Sequence, residues 1–401
     1  MTVRAHLHAQ AGELVAYAVP AGGIWLDILA AHAASEASFL PIDLRLSQRE
    51  QRAIVERARP HRLVTSDDEV MYADPAPIDP ERAWAVVATS GVSGLPKLAE
   101  LPRTALGSAV AGSLTALDAS AFDPWIACLT PAHMGGLLVL LRGAMAGAPV
   151  DVIEPFEASG LLRRAPEGAH ISLVPTMLRR LVATAQDLSH LGALLVGGSP
   201  LDPALRDAAA RLGARVVTTY GLTESCGGVA YDGIPFEGSD VRIATTGEIE
   251  LAGPTLMEGY RGDPDATARA FSVDGWLRTG DLGELDAEGR LVVHGRADDA
   301  IRTGGETVWP DEVEAVLRSH PGVADVAVVG VPDDEWGQRV AAWIVPADPT
   351  EPPTLDELRD RCRERLARFK APSELILVES LPRTPSGKLR RRGPRPRPQD
   401  G

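Results

Sequence analysis

Thr89-Ser90-Gly91-Val92-Ser93-Gly94-Leu95-Pro96-Lys97 follows an apolar run, residues 83–88, that reads as a buried strand. The stretch is therefore a loop leaving that strand's carboxyl end. Two glycines let the backbone turn tightly and aim several N–H groups at one spot, while three hydroxyls and Lys97 add donors. Such a loop suits an oxyanion, a nucleotide polyphosphate first of all. It is not a Walker A loop, because no glycine precedes Lys97 and no Ser or Thr follows it. Taken alone, a polar Gly-rich surface turn is the better reading. What lies downstream reverses that.

From residue 83 onward, strand-like runs (AWAVVA, PWIACL, APVDVI, HISLV, ALLV, RVVTT) alternate with helical ones. That alternation predicts an α/β fold with mostly parallel sheet covered by helices. Polar or Gly-rich loops follow these strands: Pro131-Ala132-His133, Pro175-Thr176, Gly197-Gly198-Ser199-Pro200 and Tyr220-Gly221-Leu222-Thr223-Glu224. Ligands in such sheets bind beyond the carboxyl ends of the strands, so the loops should meet in one cleft. Upstream, helices are expected over 24–35 and from the capping box Ser47-x-x-Glu50, then a strand over 61–65. Past residue 240 the segments shorten into a strand at 247–252 and a hairpin over 284–293. A smaller α+β unit follows from about residue 296. It should hold a helix opened by Pro310, strands at 323–331 and 340–345, and a last strand at 374–378. Its second helix opens on the capping box Thr354-x-x-Glu357, with Leu355, Leu358, Cys362, Leu366 and Phe369 on one face. The expected domains are 1–294 and 295–391, with 392–401 a disordered basic tail.

Composition removes several classes of function. A net charge of −15 argues against nucleic-acid binding by bulk electrostatics. Three cysteines without CxxC or Cys/His spacing give no zinc site or disulfide framework. The longest apolar run, 137–148, is broken by Arg142, and no signal peptide is apparent. A cytoplasmic protein without a membrane span is expected; a homodimer stays open.

Single residues extend the case for a nucleotide. Glu224 can hold Mg²⁺ on a triphosphate, since hard cations take carboxylate oxygens. Tyr220, beside Gly221, can lay its ring on a nucleobase, and Asp281 can accept from both ribose hydroxyls. Arg296 can reach the same ribose or a phosphate. Lys388, in Pro385-Ser386-Gly387-Lys388, can deliver an ammonium to a polyanion. Each residue taken singly has an ordinary structural explanation; together they do not.

The motifs TSGVSGLPK, TYGLTES, GEIELAGPTLMEGYRG, GWLRTGDLG, GRADDAIRTGGETVWPDEVE and PRTPSGK resemble those of the adenylate-forming (acyl-CoA synthetase, luciferase, peptide-synthetase adenylation) superfamily. They occur in the family's order over roughly residues 37–391. The resemblance implies carboxylate attack on ATP, giving an acyl-adenylate and pyrophosphate, then thioester formation with CoA. By motif position Thr89, Ser90, Gly91, Ser93, Gly94 and Lys97 would hold the β,γ-phosphates. Gly197, Gly198, Ser199 and Pro200 with Tyr220 and Gly221 would hold the adenine, Thr223 the α-phosphate, and Asp281 with Arg296 the ribose. Glu224 would be the Mg²⁺ ligand and Lys388 the group stabilising charge in adenylation. Asp298 matches the hinge of a small swinging domain that exchanges Lys388 for a thioester-forming face near Gly304 and Gly305.

Two departures accompany the match: Val92 replaces a threonine of the family's phosphate loop, and Leu98 its final glycine. TPAHMGGLLVLLRGAMAG, HISLVPTMLRRLV and TYGLTESCGGVAYDGIPFEG look like actinobacterial o-succinylbenzoate–CoA ligases of menaquinone biosynthesis. That substrate keeps a second carboxylate, for which His133 and Arg179 are candidate partners, His133 also as a catalytic group. The rival readings are an adenylating ligase for another aryl or acyl acid, with CoA or a carrier protein as acceptor, and a weakened nucleotide-binding homologue.

Overall fold

A computed structural model describes residues 8–89, 96–383, 389 and 391. The chain divides into two compact units. The first takes the described residues up to Arg242, then Glu250–Thr279 and Asp286–Leu291. The second takes Ile243–Ile249, Gly280–Leu285 and the described residues from Val292 on.

Two seven-stranded sheets build the first unit. At the centre of one, Leu14–Ala18, Ser38–Pro41, Arg62–Thr65 and Ala85–Ala88 run parallel. Antiparallel strands Leu98–Leu101, Gly259–Tyr260 and Glu69–Met71 finish its edges. In the other, Val150–Val152, Trp125–Ala127, His170–Leu173, Ala193–Val196 and Arg215–Leu222 are parallel. Gly227–Tyr231 and Ile234–Pro235 extend it antiparallel. The central strands are near-continuous apolar runs because helices bury both faces. The mixed α/β class is as expected, with one difference. The runs that read as a single alternating series are divided, AWAVVA joining the first sheet and the others the second. An apolar run specifies burial, and nothing in it names the neighbouring strand.

The apolar stretch before residue 148 forms the helix Met134–Ala146, buried along most of its length. A helix apolar all round belongs in an interior. Arg142 is tolerated there, 1% exposed, because its guanidinium lies 4.2 Å from the Trp125 ring centre and donates to Ser113 Oγ at 2.6 Å. Among the described residues, no helix is long and apolar enough to cross a membrane. The Ser47 capping box forms as expected: Ser47 Oγ accepts from Glu50 N at 3.3 Å and Glu50 Oε2 from Ser47 N at 2.9 Å.

The second unit carries a five-stranded sheet of Glu306–Val308, Ile301–Thr303, Gly337–Pro346, Val323–Asp333 and Glu374–Leu377. Pro310 opens the helix Pro310–Arg318, with Asp311 and Glu312 in its first turn where the helix dipole favours acids. The Thr354 box caps the helix Leu355–Arg363. This helix is shorter than its apolar spacing suggests. Leu358 and Cys362 are buried, but Phe369 falls in a separate 3₁₀ turn and is 40% exposed.

Candidate active site

In the first unit, two neighbouring parallel strands of the second sheet, Ala193–Val196 and Arg215–Leu222, deliver their loops to one edge. Gly197 follows Val196 and donates its N–H to Leu173 O at 3.2 Å. A Cβ on Gly197 would stand 2.2 Å from Thr219 Oγ1, so this loop lies flat on the adjoining strand. Gly198 has φ +81° and Ser199 is exposed beside it. On that adjoining strand the pairing register shifts between Tyr220 and Gly221. The backbone approach there is close enough to demand glycine, since a Cβ on Gly221 would meet Gly227 O at 1.8 Å. Thr223 and Glu224 then form a 3₁₀ turn with Ser225, whose Oγ accepts from Leu222 N at 2.9 Å.

Glu224 links elements of the two sheets of this unit. Its backbone carbonyl accepts from Met257 N at 2.8 Å, and its Oε1 accepts from Tyr260 Oη at 2.7 Å. Tyr260 pairs with Ala99, two residues past Lys97, and the Lys97 ammonium sits 4.5 Å from the centre of the Tyr260 ring. At the base of the expected phosphate loop, Thr89 N donates to Lys97 O at 2.8 Å. Ser90, Gly91, Ser93 and Gly94 lie outside the described residues. Leu98, the departure from the family's glycine, is fully buried in the core and begins the strand Leu98–Leu101. It is a packing residue, while Val92 lies outside the described residues.

His133 is the N-cap residue of Met134–Ala146. Its Nε2 lies 3.1 Å from Oδ2 of Asp43, just beyond the carboxyl end of Ser38–Pro41. Asp43 is 4% exposed and also accepts from Arg45 N, Nε and Nη2, the last at 2.8 Å. Burial alone would raise the Asp43 carboxyl. The hydrogen bonds from Arg45 and His133 outweigh it and hold the group far below the usual carboxylate range. Arg179 is exposed on the helix Pro175–Thr184. Sequence reasoning missed Asp43, Arg45 and Tyr260. For Asp43 the available signal was a carboxylate two residues past the short apolar run Phe39-Leu40-Pro41. For Tyr260 there was none beyond its place in Gly-Tyr-Arg-Gly.

The second unit holds the other expected residues. Asp281 is 7% exposed and accepts from Arg296 Nη1 at 3.1 Å, so the two candidates for the ribose form one pair. Gly304 and Gly305, with φ +57° and +84°, make the turn between Ile301–Thr303 and Glu306–Val308. Gly304 N donates to Trp336 O at 3.0 Å. Asp298 is exposed, in the turn where Asp299 N donates to Arg296 O. Lys388 lies outside the described residues. Of its neighbours, Leu389 bridges Arg383, and Arg391 is bound by Glu314 at 2.9 Å and by Asp311. Burial pushes the Glu314 carboxyl up to about 7, against the lowering effect of Arg391.

Among the described residues, no group of three or more His, Cys, Asp or Glu side chains can hold a metal by itself. A lone Glu224, fixed by Tyr260 beside Lys97, suits a different arrangement. Mg²⁺ is commonly held by one or two carboxylates together with substrate phosphates.

Residues 66–261 match the AMP-binding enzyme family, and residues 312–388 the AMP-binding enzyme C-terminal domain. The probable 2-succinylbenzoate–CoA ligase of Mycobacterium tuberculosis is 41% identical over 320 residues, 76% of this chain and 82% of the relative. The 2-succinylbenzoate–CoA ligase of Listeria monocytogenes is 36% identical over 345 residues, 80% of this chain and 72% of the relative. Among solved structures, o-succinylbenzoate CoA synthetase from Bacillus subtilis, in complex with the acyl-adenylate intermediate, superposes with a TM-score of 0.87 at 27% identity. That match covers 98% of this chain and 90% of the other. The same enzyme with ATP and magnesium ion gives 0.85 at 26% identity, covering 97% and 90%. With its sheets, its phosphate-loop base and its Glu224 turn as described, the chain belongs to the adenylate-forming AMP-binding enzyme family.

Proposed function

We infer that this protein is an AMP-forming acid–CoA ligase that converts 2-succinylbenzoate to 2-succinylbenzoyl-CoA in menaquinone biosynthesis. The observation that carries the adenylating chemistry is that Lys97 and Glu224 both meet the Tyr260 side chain, with Thr89 joined to Lys97 through its backbone. The names of the relatives at 41% and 36% identity support the choice of acid. A cytoplasmic location fits this reading.

In the first step an oxygen of the substrate's succinyl carboxylate attacks the α-phosphorus of ATP. The bond to the bridging oxygen breaks and pyrophosphate leaves. The phosphate loop, with Lys97, binds the β,γ-phosphates, and Thr223 contacts the α-phosphate. Gly197, Gly198 and Ser199 with Tyr220 and Gly221 receive the adenine, and Asp281 with Arg296 the ribose. Mg²⁺, held by Glu224 and phosphate oxygens, would offset charge on the departing pyrophosphate. Lys388 stabilises charge at the α-phosphate. In the second step the CoA thiol gives its proton to solvent, the sulfur attacks the acyl carbon, and the bond from that carbon to the phosphate oxygen breaks as AMP leaves. Asp298 is the hinge about which residues 295–391 turn between the steps, bringing Gly304 and Gly305 toward the thiol. His133, its imidazole bound to Asp43, borders the acid.

The free ring carboxylate must be hydrogen-bonded or paired, since burying it bare costs several kcal/mol. His133 and Arg179 are its proposed partners. A site built for that anion rejects an analogue lacking it by on the order of 10²-fold or more in kcat/KM. The test compares 2-succinylbenzoate with 4-phenyl-4-oxobutanoate, which keeps the reacting arm and lacks the ring carboxylate. Equal specificity constants would reject this acid while leaving the adenylating mechanism standing.

A further inference from the structure

Tyr260 stands between the two charged groups that the first step needs, and both contacts are built rather than incidental. Its phenol donates to Glu224 Oε1 at 2.7 Å, while its ring lies 4.5 Å beneath the Lys97 ammonium. The residue itself is 8% exposed and firmly held. Its N–H donates to Thr267 Oγ1 at 2.8 Å, and Thr267 Oγ1 donates to Asp263 O at 3.0 Å. Gly259 lets this approach happen, because a Cβ there would stand 2.7 Å from the Thr267 methyl. On the other side Arg261 is 4% exposed and donates to Ala58 O at 2.7 Å and to Glu100 Oε1 at 3.1 Å.

We propose that Tyr260 is a positioning residue for adenylation, its phenol fixing the Glu224 carboxylate for the metal and its ring seating Lys97 for the phosphates. A carboxylate on a 3₁₀ turn has freely rotating terminal torsions. A hydrogen bond to one oxygen removes that freedom and leaves the other oxygen in a fixed direction. The ammonium over the ring face gains from the ring quadrupole and is held in place by it. One rigid side chain thus sets the distance between a metal ligand on one sheet and a phosphate ligand on the other. This inference rests on Glu224 being the metal ligand, as proposed above.

The test measures Mn²⁺ binding by electron paramagnetic resonance in the presence of a non-hydrolysable ATP analogue, for the full chain and for Tyr260→Phe, Tyr260→Leu and Glu224→Ala. Tyr260→Phe keeps the ring and loses one hydrogen bond to a charged group, so Mn²⁺ should dissociate about tenfold more readily. The Mg²⁺ concentration for half-maximal ATP–pyrophosphate exchange should rise by the same factor, and saturating Mg²⁺ should restore most of the rate. Tyr260→Leu should in addition weaken the ATP analogue, through Lys97. Pre-formed acyl-adenylate should pass to CoA at the original rate in Tyr260→Phe. Unchanged Mn²⁺ affinity in Tyr260→Phe alongside loss in Glu224→Ala would overturn the proposal and leave the metal assignment intact. Unchanged affinity in Glu224→Ala would overturn both. A lower melting temperature with both half-reactions reduced equally, and no recovery at high Mg²⁺, would reduce Tyr260 to a packing residue.

Discussion

Gly221→Ala is the sharpest steric test of the site. The added methyl would stand 1.8 Å from Gly227 O, 2.6 Å from Gly227 C and 2.8 Å from Gly228 Cα. A carbon–oxygen contact normally closes no nearer than about 3.3 Å, so the strands must part by roughly 1.5 Å. All three neighbours are backbone, and no rotamer change relieves the clash. Parting them breaks the pairing of Gly221 with Gly228 and of Leu222 with Gly227. Tyr220 on one side and Thr223 and Glu224 on the other then move with the chain. Overpacking of this kind costs about 1–3 kcal/mol. Misplacing a catalytic constellation by about 1 Å costs on the order of 10²-fold in rate. The assay pairs a thermal melt with acid-dependent ATP–pyrophosphate exchange, with Gly23→Ala as control because a Cβ there meets nothing within 4 Å. The variant should melt several degrees lower and lose about 10²-fold in kcat/KM for ATP. Wild-type melting and a KM for ATP within about twofold of the parent would refute the close-approach argument.

Further outcomes follow from the same geometry. Lys388→Ala should lower the first half-reaction by several orders of magnitude yet still turn pre-formed acyl-adenylate into the CoA ester. Equal loss of both steps in stopped assays would remove Lys388 from its role. Asp43→Asn keeps the shape but leaves Arg45 and His133 without their buried anion, so kcat/KM for the acid should fall about tenfold; unchanged kinetics would detach His133 from the site. His32 is fully buried beside Tyr17 Oη at 2.8 Å, and burial lowers its pKa from 6.5 to about 4. The unfolded chain therefore binds the extra proton between those values. Stability from neutral His32 is complete above pH 6.5 and is lost as pH falls through about 4. Urea midpoints should show a loss of about 2 kcal/mol between pH 7.5 and pH 5 that is absent in His32→Gln. A parallel decline in both proteins would count against it.

The sequence was most readable where the cause of a structure is local. Ser47 with Glu50 and Thr354 with Glu357 are three residues apart, and both capping boxes formed where expected. Pro310 and the glycines at 197, 198, 304 and 305 mark backbone demands that few other residues meet. The site was less readable because its contacts are distant in the chain. Tyr260 meets Glu224 across 36 positions and His133 meets Asp43 across 90. An aromatic or a carboxylate carries no sign of which strand will face it. The same reason divided the apolar runs between two sheets. Leu98, a departure from the family's phosphate loop in sequence, is in the fold a strand residue filling the core.

The most direct test of the adenylating account follows a label on the α-phosphorus of ATP, with 2-succinylbenzoate present and CoA withheld. The account predicts release of unlabelled pyrophosphate and transfer of the label to an enzyme-bound 2-succinylbenzoyl-adenylate, which discharges as AMP when CoA is added. Recovery of the label in ADP, or pyrophosphate release independent of the acid, would contradict it.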